Sequence, residues 1–197
     1  MSARRIAVNH PGWEKLQRLH QEAIQLFPHP YLDRGFGAVG LILHEVGRGR
    51  YEGCTPGNCH PFAGTGGNGV HFSFLALGDE IDERSPVVVS VPAMGGYSAV
   101  VGESLHDFLC LGAVRGYFAL EQLAYNDELT MRVYTDPAWQ PTEKVHDSVG
   151  YTVNDHQQQI LEFLTRQFDL RPWCDRQRFK QLENEFQSRL APPLEAP

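Results

Sequence analysis

The chain carries few positive charges for its length. Of its 197 residues, 17 are lysine or arginine and 24 are aspartate or glutamate, so the formal net charge is −7 at pH 7. No patch of basic residues with interleaved aromatic residues is present, and a nucleic-acid partner is therefore disfavoured. The excess of negative charge is better matched to a basic protein partner, or to no charged partner at all.

Export and membrane signals are also missing. The first residues, MSARRIAVNHPGW, contain two arginines but no apolar stretch of a secretory signal. No apolar run approaches the roughly 20 residues that a transmembrane helix needs. We therefore expect a cytoplasmic protein without membrane contact, in which the cysteines stay reduced. The four cysteines are Cys54, Cys59, Cys110 and Cys174.

The composition is that of a globular protein. Hydrophobic residues make up 42% of the chain and charged residues 21%, which are ordinary values for a folded domain. The length suffices for one domain with a sizeable core. We expect an α+β domain over residues 1–150 and a C-terminal helical extension over residues 151–197 that packs on the same domain. The sequence indicates no oligomeric state.

Amphipathic helices are predicted toward both ends of the chain. Apolar residues from Trp13 to Phe27 recur at steps of three and four, which places them on one helical face. Ser104 followed by Asp107 is typical of a helix start, and Gly112 is suited to end that helix. Similar patterns predict three more helices, over residues 117–125, 152–168 and 179–190.

Three strands are predicted in the middle of the chain. They are the β-branched and aromatic runs VHFSFLAL (70–77), PVVVSVP (86–92) and YSAVVG (97–102). The glycines in residues 93–96 predict a hairpin between the last two. Strands at the centre and helices at the ends indicate an α+β fold with a mainly antiparallel sheet flanked by helices. Periodicity does not assign residues 36–46 or 126–150.

Residues 64–69, GTGGNG, match the G-x-G-x-x-G spelling of a dinucleotide-binding loop. Such a loop needs a strand before it and a helix after it, because the helix N-terminus holds the pyrophosphate. Here the preceding residues contain Pro61, and the following residues alternate like a strand. No Gly-Lys-Ser/Thr sequence of a P-loop is near. We therefore interpret the glycines as a tight turn with positive φ and predict no nucleotide cofactor.

Cys54, Cys59, His60 and His71 are the candidates for metal binding or catalysis. A structural zinc site usually takes two pairs of ligands, which a single C-x4-C-H sequence does not supply. If Thr55–Asn58 closes a hairpin, the first two cysteines face each other and can form a disulfide on oxidation. We expect reduced packing thiols and no metal. The alternative function is a small hydrolase that uses Cys54 or Cys59 as nucleophile and His60 or His71 as base.

An acidic connector, residues 78–84, follows the first predicted strand. It lacks the ligand pattern of a calcium loop, and we expect a solvated loop that offers an acidic contact to a basic partner. In the strand before it, alternation with the aromatic residues predicts a polar, half-exposed face around His71 and Ser73. The predicted partner-binding residues are therefore Asp79, Glu80, Asp82, Glu83, His71 and Ser73.

Four segments in order carry a family resemblance: GTGGNGVHFSF, SPVVVSVP, YSAVVG and the Ser-capped helix ESLHDFL. Together with the N-terminal helix, and over residues 12–125, they resemble the SUKH superfamily of bacterial immunity proteins and interaction modules. The resemblance implies an α+β domain without catalytic activity or cofactor. It further implies an antidote that binds and blocks a toxin domain inside the cell. These segments are packing and turn motifs, so they indicate the fold more directly than the function.

Overall fold

The structure is a computed structural model that describes residues 6–28, 34–51, 53–140 and 151–194. Its strands are β1 (Ala7–Val8), β2 (Ile42–Leu43), β3 (Cys59–Gly64), β4 (His71–Leu75), β5 (Glu80–Ile81), β6 (Val87–Val91) and β7 (Tyr97–Gly102). Its α-helices are α1 (Pro11–Leu26), α2 (Leu105–Gly112), α3 (Asp127–Thr135), α4 (Asp155–Phe168) and α5 (Gln177–Phe186).

Five of the strands form one antiparallel sheet in the order β2–β3–β4–β6–β7. The two remaining strands, β1 and β5, pair in parallel in a small separate sheet. The predicted α+β fold with a mainly antiparallel sheet and terminal helices is therefore confirmed. The predicted hairpin between β6 and β7 is also present, and its turn contains Gly95 and Gly96, which both have positive φ.

Helix α1 forms where the apolar periodicity predicts it. Pro11 occupies the first turn, where its missing N–H costs nothing, and the His10 side chain accepts a hydrogen bond from the Trp13 backbone N–H at 3.2 Å. The buried stripe runs from Trp13 to Ala23. Leu26, which the pattern assigns to the same face, is instead 54% exposed because it lies at the end of the helix.

The first face of the large sheet packs against α1 and α2. The rings of Phe62 and Phe74 stack at 4.2 Å, and Trp13 meets both of them edge-on. Phe108, on α2, contacts Phe72 and Phe62. This aromatic cluster is the centre of the core, since all four phenylalanine side chains have no exposed surface.

The second face of the sheet is covered by two segments that lie far apart in the sequence. Residues 53–58 bind the last described residues through hydrogen bonds: Asn58 Nδ2 donates to the Arg189 carbonyl at 2.9 Å, and the Gly53 N–H donates to the Leu194 carbonyl at 3.1 Å. The Gln187 side chain donates to the Ser98 carbonyl on β7. Strands β4 and β6 are consequently buried along their whole length on both faces.

The less clearly patterned regions differ from the sequence-based assignments. Residues 117–125 form a 3-10 helix (Phe118–Ala124) instead of an α-helix, and the unassigned segment after it contains α3. Residues 36–46 divide between a 3-10 turn (Gly35–Val39) and β2. The capping box of α4 joins Asn154 and Gln157. Residues 141–150 lie outside the described residues.

Helices α4 and α5 share the core of the rest of the chain. Ile160 and Leu164 on α4 and Phe179 and Leu182 on α5 are almost fully buried, and they belong to the same apolar cluster as Trp13. Helix α4 packs against α1 and the 3-10 turn at residues 35–39, whereas α5 packs against β7. Helices α4 and α5 therefore contribute to the same hydrophobic core from two different places.

Candidate functional site

The acidic connector, residues 78–84, is held against the domain more firmly than a solvated loop. Its residues Glu80 and Ile81 form β5, which pairs with Ala7 and Val8 of β1. Ile81 has no exposed surface, and its carbonyl accepts a hydrogen bond from the Asn9 N–H at 2.8 Å. The expectation of a purely solvated loop is therefore wrong, because a buried residue and a strand pair fix its middle.

The acidic side chains of the connector differ in their surroundings. Asp79, Glu80 and Glu83 are exposed, as predicted. Asp82 accepts hydrogen bonds from Arg84 through both carboxylate oxygens, at 2.7 Å from Nη2 and at 2.9 Å from the backbone N–H. These hydrogen bonds from Arg84 hold the pKa of Asp82 below its ordinary value. Asp82 thus shapes the connector, and the other three acids face solvent.

The connector also forms one side of a surface concavity that has a volume of about 680 Å³. Apolar groups lie in the same area: Leu77 is 48% exposed and lines the concavity with Ala7, and Val8 beside it is 40% exposed. Protein interfaces commonly combine an apolar centre with a charged or polar periphery. We call the surface formed by residues 7–8 and 77–84 the acidic surface.

His71 and Ser73 are not on an exposed face. Their residues are only 2% and 0% exposed, so the expectation that they contact a partner directly is wrong. The cause is the cover formed by residues 50–51, 53–58 and 187–194, which lies on the polar side of β4. The VVVSV sequence of β6 was an available signal, because continuous apolar strands without alternation are typical of strands that are buried on both faces.

The imidazole ring of His71 is held in place by contacts with neighbouring residues. Its Nδ1 lies 2.8 Å from the Gly69 carbonyl and its Nε2 lies 2.9 Å from the Thr55 hydroxyl, while the Tyr51 ring stacks on the imidazole at 5.2 Å. The Thr55 oxygen in turn accepts the Tyr51 backbone N–H. A carbonyl accepts only from a protonated nitrogen, so the neutral ring carries its proton on Nδ1. Burial lowers the pKa of His71 and favours this neutral form.

The glycine-rich residues 64–69 connect two strands, β3 and β4. Gly66, Asn68 and Gly69 have positive φ values of 88°, 51° and 70°, as the turn interpretation requires. A Cβ on Gly69 would also lie 2.8 Å from the Tyr51 ring. A strand does precede this loop, contrary to the inference from Pro61, because Pro61 fits beside a register shift in β3. The element that follows is strand β4, in place of the helix that a dinucleotide-binding loop requires.

The two cysteine candidates differ in their surroundings. Cys59 is completely buried, and burial raises the pKa of its thiol to about 12, so the nucleophilic thiolate is absent at neutral pH. Cys54 is partly exposed, and both cysteines are free thiols. The turn between them starts one residue later than predicted, since the Cys59 N–H donates to the Pro56 carbonyl. Within the described residues, no three histidine, cysteine or acidic side chains are arranged to hold a metal ion.

The sequence pattern did not predict the apolar part of the acidic surface. β1 and β5 have two residues each, and such short strands leave no detectable periodicity. The available signal was the apolar run Ile6–Val8 ahead of α1, which needs a partner strand.

Among the described helices, none combines the length and the apolar character that crossing a bilayer requires.

The chain matches no protein-family model, no curated protein and no solved structure. The resemblance to the SUKH superfamily consequently depends on the four sequence segments and the N-terminal helix described above. A functional assignment has to be argued from the chain's own surface.

Proposed function

We propose that the protein is a non-catalytic binding module of the SUKH type, an immunity protein that binds and blocks a bacterial toxin domain in the cytoplasm. The acidic surface is the part that contacts the toxin, and the toxin presents a basic region to it. The observation that carries this proposal is the group of three exposed acids, Asp79, Glu80 and Glu83, beside the exposed side chain of Leu77.

Charge supports a basic partner. The protein as a whole has a net charge of −7, and the acidic surface concentrates negative charge locally because its four acids outnumber its one cation, Arg84. Opposite charges across an interface steer the encounter and raise the association rate, an effect that salt screens. Leu77 and Val8 supply the apolar contact that makes a complex last after the encounter.

The rigidity of the connector supports a binding role as well. The β1–β5 pairing, the burial of Ile81 and the Asp82–Arg84 ion pair hold the backbone that carries the exposed acids. A preformed surface loses little conformational entropy when a partner binds. An unstructured acidic loop would lose more, and it would bind less tightly for the same contacts.

The geometry argues against the hydrolase alternative at one of its two cysteines. Cys59 is buried with a raised pKa, so it does not meet the requirement for an activated nucleophile. His71, one of the two proposed bases, uses both ring nitrogens in hydrogen bonds to Gly69 and Thr55. The binding proposal needs neither residue.

The proposal is tested by neutralisation in cells. The product of the neighbouring gene, as the candidate toxin, is expressed with the wild-type protein or with a variant in which Asp79, Glu80 and Glu83 are changed to lysine. Asp82 is kept because its reversal would break the ion pair with Arg84. We expect the wild type to restore growth and the triple variant to lose most of that protection at equal protein levels.

A matched control separates the surface from the total charge. Three exposed acids on the helices, Glu22, Glu162 and Glu185, are changed to lysine, which alters the net charge by the same amount. This control should protect like the wild type. Full protection by the acidic-surface variant, with the candidate toxin demonstrably active, would contradict the proposed contact.

A further inference from the structure

A second cavity lies where the N-termini of α1 and α2 meet. It has a volume of about 490 Å³ and is bordered by the start of α1, the start of α2, the end of α4 and Glu83 of the acidic connector. Cavities that hold small organic ligands fall in this range of volume. The cavity is separate from the concave part of the acidic surface, which is lined by residues 77–80, 82, 84 and 85 and by Ala7.

Both helix starts bring backbone donors to this cavity. The first N–H groups of an α-helix have no partner within the helix, and the aligned peptide dipoles make this end partly positive. In each helix one such group is already satisfied by a side chain: His10 Nδ1 accepts from Trp13, and Ser104 Oγ accepts from Asp107. The N–H groups before these two are that of Gly12 in α1, because Pro11 has none, and those of Leu105 and His106 in α2, and these residues line the cavity.

His10 adds an observation that is independent of the helices. The residue is 97% buried, as its exposed fraction is 3%, and it lines the cavity. Because Nδ1 accepts the Trp13 N–H, the neutral ring carries its proton on Nε2. Nε2 is buried and has no hydrogen-bond partner among the described residues. A buried donor without an acceptor is costly, and an oxygen atom of a ligand in the cavity would supply that acceptor.

A positive charge is held at the same place. Lys15 lines the cavity, and its ammonium group is fixed by a hydrogen bond to the Gln167 carbonyl and by the Phe168 ring at 4.5 Å. The ammonium has three N–H donors, so donors remain after that bond. His106 also lines the cavity, but its Nε2 lies 3.1 Å from the Phe168 carbonyl, and it therefore acts as part of the wall.

We infer that this cavity is a binding site for a small organic molecule with an oxyanion group, either a phosphate or a carboxylate. The oxyanion accepts hydrogen bonds from His10 Nε2, from Lys15 and from the first backbone N–H groups of the two helices. The apolar side chains of Leu105 and Phe168 contact the rest of the ligand. Glu83 lies at the edge of the cavity and repels the anion, so it limits the affinity. This inference is independent of the proposed toxin contact.

The site is tested by titration of the full chain with inorganic phosphate and, in a separate arm, with acetate, at constant ionic strength and neutral pH. Binding is followed by NMR signals of the histidine rings. We expect a saturable shift of the His10 signals with at least one of the two anions. Saturation with phosphate alone assigns a phosphate ligand, and saturation with acetate alone assigns a carboxylate ligand.

Variants identify the donors. His10→Asn keeps an N-cap acceptor, because asparagine is a favoured N-cap residue, but removes the Nε2 donor. Loss of a hydrogen bond to a charged group should weaken binding about tenfold or more. His20→Asn is the matched control, since His20 also lies on α1 and accepts a backbone N–H, from Phe36, but outside the cavity. It should bind like the wild type.

Two further changes have opposite predicted signs. Lys15→Met keeps the length of the side chain and should weaken binding, whereas Glu83→Gln removes the repulsion and should tighten it several-fold. These variants keep the test valid if His10→Asn reduces stability. Absence of a saturable response to both anions in the wild type and in Glu83→Gln would overturn the inference. Equal affinity in the wild type, His10→Asn and Lys15→Met would overturn it as well.

Discussion

The acidic surface and the His71 face of the sheet are two polar regions from one stretch of the chain: His71 begins β4, and the acidic connector follows the end of β4. The first is open to solvent, and the second is covered by residues 50–51, 53–58 and 187–194. The sequence predicts exposed polar side chains in both regions. The difference teaches that exposure is decided by what the rest of the chain packs on a face. Polar residues on a covered face have structural partners, as His71 has in Thr55 and Gly69.

The first face of the sheet, which packs against α1 and α2, should show the largest loss of stability on mutation. Phe108 has no exposed surface and contacts the rings of Phe62, Phe72 and Tyr117. Phe108→Ala should lower the free energy of unfolding by ~3–5 kcal/mol, because it removes a large buried ring and leaves a cavity. Chemical denaturation measures this change. A loss below about 1 kcal/mol would mean that α2 does not pack on the sheet as described.

The His71 face should respond as a buried region. His71→Ala removes the ring that Tyr51 stacks on and leaves the Thr55 hydroxyl proton without its acceptor, Nε2. We expect a loss of about 2–4 kcal/mol in the free energy of unfolding. The same denaturation experiment gives the value. An unchanged unfolding midpoint would show that this face is open, and His71 would then return as a candidate contact residue.

The glycine loop provides a smaller effect with an internal control. Gly69 has a φ of 70°, and a side chain there meets the Tyr51 ring, whereas a Cβ on Gly67 meets no atom within 4 Å. Gly69→Val should therefore lower the free energy of unfolding by about 1–3 kcal/mol, and Gly67→Val should cost clearly less. Thermal unfolding of the two variants tests this difference. Equal melting temperatures would refute the turn geometry.

The buried and half-buried histidines should make the protein sensitive to mild acid. Burial lowers the pKa of His71, His10, His20, His44 and His60 from the ordinary value of 6.5. Below that value the unfolded chain binds more protons than the folded chain, so stability is present above it and is lost as the pH falls through the folded pKa values. The free energy of unfolding should consequently be smaller at pH 5.5 than at neutral pH.

His71→Gln sharpens the pH experiment. This variant should lose part of the difference in unfolding free energy between neutral and mildly acidic solution, because one of the buried histidines is gone. The pKa of Asp82 is also lowered, from 3.8, but that carboxylate titrates below the chosen range and does not interfere. Equal stability of the wild type at both pH values would contradict the burial of these histidines.

The sequence predicts those parts of the fold that have a strong local period. Helix α1 and strands β4, β6 and β7 follow from spacing and residue type, and the Ser104 cap of α2 is present as predicted. Strands β1, β2 and β5 are too short for a periodic signal. The cover on the His71 face depends on contacts such as that of Asn58 with Arg189, 131 residues away, and no local pattern contains such a contact.

The two candidate sites also differ in how far the sequence predicts them. The acidic surface is recognisable because its acids lie within five residues of one another in the sequence, although Ala7 and Val8 in its apolar part come from β1. The oxyanion site combines the starts of two helices, the end of a third and Glu83. Each of these segments has an ordinary sequence, and only the fold brings His10, Lys15 and Leu105 together. A site of this kind is beyond prediction from spacing alone.

The acidic surface should show the smallest effect on stability and the largest on binding. Changing Asp79, Glu80 and Glu83 to lysine leaves Ile81 and the Asp82–Arg84 pair in place, so the free energy of unfolding should change by less than ~1 kcal/mol. The control with Glu22, Glu162 and Glu185 changed to lysine has the same net charge. This pair of variants separates a local contact from a general charge effect.

The most direct test is the association rate of the purified protein with the candidate toxin at low and at high salt. For the wild type we predict a fast rate that falls as salt rises, because the attraction is electrostatic. The acidic-surface variant should associate at least about tenfold more slowly at low salt and show little salt dependence, while the control variant stays much closer to the wild type. Equal rates for the wild type and the acidic-surface variant at both salt concentrations would contradict the claim that this surface meets the partner.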